Sequence, residues 1–488
     1  MPYPYTDIIR RSYRGEAAHR HMTAISGHHR IQASPGYRAA AEYVASQLAA
    51  AGLQVEIHRY PADGETRFWT SPGFLEWACE SASLVLLDAA GQPEQTLCDF
   101  AGLPTSLIQR SVPVTGEFEV AAPAGKGGVD PADYAGLDVA GKVVLTNRPV
   151  AQVAAVALRQ LGAAGILFDG MEAGGRTELD VPDARQYTSF WWAGSVEPDA
   201  WGFVVSPRQG RSLRARLAQG KTVRVRAAVD SGFSAGTFEV VDAFLPGSNP
   251  AAGEILLVSH LCHPQPGAHD NASGAAALIE TAATLARLVD AGTLPLPRRG
   301  IRCLWPPEMT GTFAYLAAHE AEMRAGRWVA GLNLDMVGAD QNATGSSWEL
   351  VGLPQAGASF SDHLLSWLRE PMLDGVRHRE TGFSAGSDHY ILSDPSVGIP
   401  TPMLIQWPDK YYHTSADTPE KVSPDSLARS GMLAAAYACW LANAGSAEVA
   451  WLAHLMVSQY AGRAAAETAE AVASGKGDLA RFERRHAF

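Results

Sequence analysis

The chain has 488 residues, 47% hydrophobic and 18% charged, enough apolar matter for a sizeable core and too much for a disordered protein. Its 39 Lys and Arg against 51 Asp and Glu give a formal net charge of −12. That argues against nucleic acid as the main partner, because phosphate binding needs clustered positive charge. Five scattered cysteines (Cys79, Cys98, Cys262, Cys303, Cys439) without a Cys-x-x-Cys pair argue against a disulfide framework or a zinc knuckle. The N-terminal segment has early charges and no apolar leader, and no uninterrupted apolar run of about 18 residues occurs, so a cytoplasmic protein with no membrane partner is expected.

In chain order, Ser34-Pro35 opens and Gly52 closes a predicted helix, followed by an alternating strand, LQVEIHRY. From about Pro61 to Gly220 short strand-like runs are broken by Gly and Pro. Within them VAGKVVLTNRP and AGILFDG predict strands around a helix in VAAVALRQLGAAG. From TVRVRAAVDS onward FEVVDAFLPG, EILLVSHL, GIRCLWPP, VAGLNLDMVG and TPMLIQW predict strands. Helices are predicted in GAAALIETAATLARLV, TFAYLAAHEAEMRAG and SFSDHLLSWLREPM. This alternation predicts an α/β fold of three layers, a mostly parallel (mixed) sheet flanked by helices on both faces. The expected domains are 1–61 and 223–445 as two parts of one α/β domain, 62–222 as a β-rich insertion, and 446–488 as a C-terminal helical extension ending in a charged, frayed tail. Those Ala-rich helices could pack on the core or form a subunit contact, so a homo-oligomer stays open.

Four segments place metal-type ligands just after predicted strands, the edge where open α/β sheets bind ligands. SHLCHPQPGAHDNASG offers His260, His263, His269 and Asp270, a density of ligand types beyond that of an ordinary helix cap. Glu308 follows Pro306-Pro307 and precedes a helix, where an N-terminal acid could also be a solvated dipole partner. Asp335 lies in an otherwise apolar strand and needs a metal or an Arg as partner. Tyr412, His413 and Asp417 lie in a turn-rich loop, and Asp417 reads as part of a helix cap. Ser387, Asp388 and His389 are adjacent, which is not the convergence that a serine-hydrolase triad needs.

Taken in order, the strand-end His, DNASG, the Glu before GTxxYL, NLDMVG, GSDH and YYHTSADT resemble the zinc aminopeptidase family of peptidase type M28, which includes bacterial leucyl aminopeptidases and glutamate carboxypeptidase II. GLDVAGKVVLTNRP and LGAAGILF resemble that family's inserted protease-associated domain. HxCHP looks closer still to bacterial aminopeptidase-like proteins of poorly defined substrate. The resemblance implies a zinc-exopeptidase-like fold and one or two zinc ions held by His260, Asp270 as the bridging carboxylate, Asp335 and His413. It implies Glu308 as general base, Tyr412 as a donor to the developing oxyanion, and Asp388 and His389 as a pair behind a ligand.

The sequence departs from the family in two places. The family's His-x-Asp is His260-Leu261-Cys262, so a Cys stands where an acid orients the first ligand. The second acid of the Glu-Glu pair is Met309, which is no ligand for zinc. Three outcomes are open: a single ion, a second ion rescued by His263 or His269, or Glu308 itself as a ligand. The expected reaction is release of the N-terminal residue of a short peptide or small amide by metal-activated water. Deacylation of N-acyl amino acids, glutaminyl cyclisation, and an inactive binding protein on the same fold are the alternatives.

Overall fold

The computed structural model describes residues 5–171, 180–190, 199–372 and 374–473; the expected charged tail, KGDLARFERRHAF, lies outside them. Two sheets organise these residues. The larger has eight strands in the order Gln54–Ala62, Gly236–Leu245, Gly300–Trp305, Glu254–Val258, Trp328–Leu334, Met403–Trp407, Ser347–Val351 and His378–Thr381. Its central strands, from Gly300–Trp305 to Met403–Trp407, run parallel, and antiparallel neighbours lie on either side. Helices cover both faces, so the three-layer mixed α/β architecture is present.

Local chemistry explains the elements. The helix Pro35–Ala50 starts where Ser34 Oγ accepts the Tyr37 N–H at 3.1 Å, with Pro35 in its first turn. It buries Tyr37, Ala40, Ala41, Val44 and Leu48, a stripe at helical spacing. The helix Gly274–Asp290 is buried on nearly all sides because the sheet lies on one side and the helices Gly15–Ser26 and Pro424–Asn443 lie against it. Its apolar character is that of a core helix. Alanines let those helices approach closely enough for Thr281 Oγ to donate to Gly431 O at 3.1 Å, and Gly431 leaves room for the Tyr13 ring.

The second sheet has seven strands, in the order Pro93–Asp99, Glu76–Leu87, Arg224–Ser234, Val114–Ala121, Val143–Thr146, Gly165–Phe168 and Gly202–Val204, with its own apolar core. It differs from the sequence expectation at one end. The sequence pattern puts Arg224–Ser234 in the returning α/β part, yet this strand pairs with Glu76–Leu87 and Val114–Ala121, so the inserted sheet extends through Ser234 rather than ending at 222. An alternating strand carries no label for which sheet it joins. Two helices precede the predicted ones, Thr6–Ser12 and Gly15–Ser26, and the predicted helix in TFAYLAAHEAEMRAG is two, Thr310–Ala318 and Glu320–Arg324.

Candidate metal centre

The four central parallel strands end at one edge, and the loops beyond them carry His260 to Asp270, Glu308, Asp335, and Tyr412 with His413. Three devices hold the first loop. Arg30 is fully buried and donates through Nε to Leu261 O at 2.7 Å and through its terminal nitrogens to Pro266 O at 3.0 Å and Gly267 O at 2.6 Å. The Asn271 amide ties together Ser259 Oγ, His260 O and Leu334 O, while its oxygen accepts the Gly274 and Met336 N–H groups. The Asp417 carboxylate accepts the backbone N–H groups of His269 at 2.8 Å and Asp270 at 2.9 Å, so Asp417 caps this turn rather than its own helix. Gly267 has φ +48°, and a Cβ there would lie 2.2 Å from His263 Nδ1, so the approach of the imidazole requires glycine.

Asp270 is the hub. Its Oδ1 lies 3.7 Å from His260 Nε2, and its Oδ2 lies 3.3 Å from His263 Nε2 and 3.1 Å from His413 Nε2. Asp335 Oδ1 lies 3.4 Å from His260 Nε2. Two donor groups therefore share Asp270: His260, Asp270 and Asp335, and His263, Asp270 and His413. His260 Nδ1 faces Cys262 O at 3.1 Å and His263 Nδ1 faces Pro264 O at 2.8 Å. A proton on each Nδ1 satisfies those carbonyls and leaves the Nε2 lone pairs pointing at carboxylates. His263 Nε2 and Asp335 Oδ1 are buried without a hydrogen-bond partner among the described residues. Lone pairs of nitrogen and oxygen converging in a buried space are the donor set of a divalent cation, and the mixture of imidazole and carboxylate fits zinc.

The electrostatics agree. Burial alone would raise Asp270, but the His263 and His413 imidazoles outweigh it and hold the carboxyl well below its ordinary range. Burial would lower His260, and the Asp335 and Glu308 carboxylates outweigh it and raise it. Burial pushes Glu308 up to about 8, opposed by His260 and reinforced by Asp335. A bound cation would lower it again. Met309, Met336 and His413 all have positive φ, at 58°, 54° and 58°, so backbone strain gathers beside the ligands, as it does at functional sites.

The remaining residues named from sequence fall as follows. His263 joins His413 and Asp270, whereas His269 turns away, its Nδ1 2.5 Å from Asp409 Oδ2. The role of the family's acid at Cys262 passes to the backbone: Cys262 O meets His260, while its Sγ accepts the Glu308 N–H at 3.2 Å. Asp388 accepts the Met309 N–H at 2.8 Å and the Thr312 hydroxyl at 2.7 Å. It therefore braces the turn that carries Glu308, rather than a ligand from behind. His389 Nε2 meets Ser384 O at 2.8 Å, and burial lowers its pKa to about 4. Tyr412 stacks on His413 with ring centroids 3.6 Å apart.

Tyr187 belongs to the site without any mark in the sequence. Tyr187, from the inserted part, places its hydroxyl 3.1 Å from His413 Nε2 and its ring edge-on to His263. The segment is zipped in place by Tyr187 N–H to His413 O at 3.0 Å and by Ser415 N–H to Arg185 O at 2.9 Å. Burial raises the Tyr187 pKa well above its usual value, so it stays a proton donor. Nothing in RQYTSF marks this tyrosine, because its partner lies 226 residues away. His260, His263, Asp270, Asp335 and His413, with Glu308, Tyr187 and Tyr412, line one cavity of about 540 Å³. It is also lined by Val351, Met403, Ile405 and Trp407, and by Ile31, Gln32, Phe74 and Arg110.

Residues 240–438 match the profile of Peptidase family M28. No curated protein matches the chain. Among solved structures, the fold is similar to a zinc aminopeptidase from Bacillus subtilis at 17% identity and TM-score 0.64, covering 89% of this chain and 96% of that one. An aminopeptidase from Aneurinibacillus sp. strain AM-1 matches at 20% identity and TM-score 0.55, covering 90% and 96%. A Peptidase M28 precursor from Shewanella amazonensis SB2B matches at 17% and 0.63, covering 91% and 97%. At these identities the likeness establishes the fold.

Proposed function

Residues 240–438 belong to peptidase family M28, and on that basis we propose that the protein is a zinc-dependent aminopeptidase that releases the N-terminal residue of short peptides. The observation that carries the proposal is Asp270 shared between two donor groups, with Glu308 lining the same cavity. His260, Asp270 and Asp335 would hold one ion, and His263, Asp270 and His413 a second, so that His263 replaces the ligand lost at Met309. When bound, zinc supplies Lewis acidity: it lowers the pKa of water toward about 7 and polarises the scissile carbonyl.

The chain's own groups do the rest. A Glu308 carboxylate oxygen takes the proton from the attacking water and returns it to the leaving amine. The Asp388 carboxylate, through the Met309 N–H, keeps that turn in register. Tyr187 and Tyr412 sit beside His413 with hydroxyls that can donate to the oxyanion as charge develops. The walls of the cavity exclude bulk water and limit the substrate to short chains.

Glu308→Gln tests this reading. Turnover of leucine p-nitroanilide should fall about 10²–10⁴-fold, the usual contribution of a general base, while metal content by plasma emission stays that of the parent protein. Loss of zinc together with activity would make Glu308 a ligand instead. Undiminished turnover would remove it from the chemistry.

A further inference from the structure

The strand Ser347–Val351 carries a single acid, Glu349. It is only 4% exposed, and it lines the cavity of the metal ligands. A buried carboxylate is costly unless its oxygens find partners. Oε1 accepts from Arg379 Nη2, which stands in register with it on the neighbouring strand His378–Thr381. Oε2 accepts no hydrogen bond among the described residues. The Arg379 side chain is half exposed, against 5% for that of Glu349. Its guanidinium therefore keeps much of its water and offsets only part of the buried charge.

Register explains why this acid faces the cavity. Ser347–Val351 runs antiparallel to Met403–Trp407, with Glu349 opposite Ile405 and Val351 opposite Met403. Directly opposed residues of an antiparallel pair share a face. Glu349, Val351, Met403, Ile405 and Trp407 accordingly line the cavity, whereas Trp348, Leu350 and Leu404, one step out of phase, do not. The face is apolar at four of these positions and anionic at the fifth.

The same strands tie that face to the metal ligands. The Asp335 N–H donates to Leu404 O at 3.1 Å. The Trp407 ring meets Tyr412 edge-on, with centroids 4.9 Å apart, and Tyr412 stacks on His413. The face therefore borders both donor groups, where the residue whose carbonyl is attacked must lie. Glu349 sits one strand beyond Met403–Trp407, so its backbone is about 10 Å, two strand spacings, from that of Asp335. That gap suits a long side chain with a cation at its end.

We infer that Glu349 sets the specificity of the pocket for the N-terminal side chain, so that the preferred substrates begin with a cationic residue, lysine or arginine. The inference rests on the peptidase reading above and narrows it to a substrate class. The substrate cation completes the carboxylate at Oε2, while its methylenes lie along Val351, Met403, Ile405 and Trp407. An apolar side chain of the same length displaces water from Oε2 and supplies no donor, and a site with a buried oxygen left unpaired rejects such a residue.

The test measures kcat/KM of zinc-loaded protein on the p-nitroanilides of lysine and norleucine, which differ only in the terminal ammonium. Lysine should be preferred about 10–100-fold, the range of a charge-assisted hydrogen bond. Glu349→Gln should collapse that ratio to near one. Arg379→Gln, which removes the competing cation and leaves the carboxylate, should hold or raise it. Equal efficiency on the two substrates in the parent protein overturns the inference. So does a Glu349→Gln protein that loses both activities in proportion, or an Arg379→Gln protein whose ratio collapses as well, since either is the behaviour of an ion pair that only ties two strands together. If Glu349→Gln fails to fold, the ratio in the parent and in Arg379→Gln decides. Calorimetry of free lysine and free norleucine on the same zinc-loaded protein reads the pocket without turnover. A protein that binds lysine over norleucine but cleaves neither p-nitroanilide loses the peptidase reading and keeps the cation pocket, whereas one that cleaves both equally loses the pocket alone.

Discussion

His263→Ala puts the assignment of the second donor group at risk. In the structure Asp270 Oδ2 lies 3.3 Å from His263 Nε2 and 3.1 Å from His413 Nε2. Removing the imidazole leaves that group with one histidine and a carboxylate it shares with the other group. A structural zinc with four ligands is worth roughly 10–16 kcal/mol, so each ligand contributes roughly 3 kcal/mol, or about a 10²-fold change in affinity. The first group, His260, Asp270 and Asp335, is left whole. The expected result, by plasma emission after dialysis against buffered zinc, is loss of one ion and retention of the other, with kcat reduced. His269→Asn serves as the contrast, because His269 faces Asp409 and not the shared carboxylate, and its metal content should match the parent's. Retention of two ions at parental affinity in His263→Ala would refute the assignment and return the ligand role to Glu308 or to solvent.

Two further outcomes follow from the same geometry. Tyr187→Phe should lower kcat by about 10²-fold or more, the usual loss of an oxyanion donor, with KM and metal content little changed; a change confined to KM would place Tyr187 in substrate binding. The metal-free protein should lose thermal stability as pH rises from 7 to 9. Glu308 is raised from 4.5 to about 8 by burial, so its folded form binds the proton more tightly than the unfolded chain does. That contribution is complete below about 4.5 and gone above about 8, and the raised His260 adds the same sign. Below about pH 6.5 the buried His29 and His389, lowered to about 3 and about 4, act with the opposite sign, so the test lies above it: melting curves from pH 7 to 9 should decline without metal and flatten with zinc, and a metal-free curve rising over that window would contradict the burial of Glu308.

The sequence by itself determined the elements and the ligand types. Alternating apolar runs and helical stripes marked a parallel sheet, because side-chain period is a local property of the chain. The order of His260, Asp270, Glu308, Asp335 and His413 after successive strands placed them at one sheet edge, since parallel strands must end on the same side. Several decisions were beyond it. Arg224–Ser234 could have joined either sheet, because strand pairing depends on partners far along the chain. Of His263 and His269, six residues apart, only His263 meets Asp270. The choice is made by Arg30, Gly267 and Asp417, which set the loop's path through contacts with its backbone. Tyr187 and Arg110 carry no local mark at all. They matter because the inserted part folds back over the metal ligands and brings a phenol and a guanidinium to a cavity that neither segment forms alone.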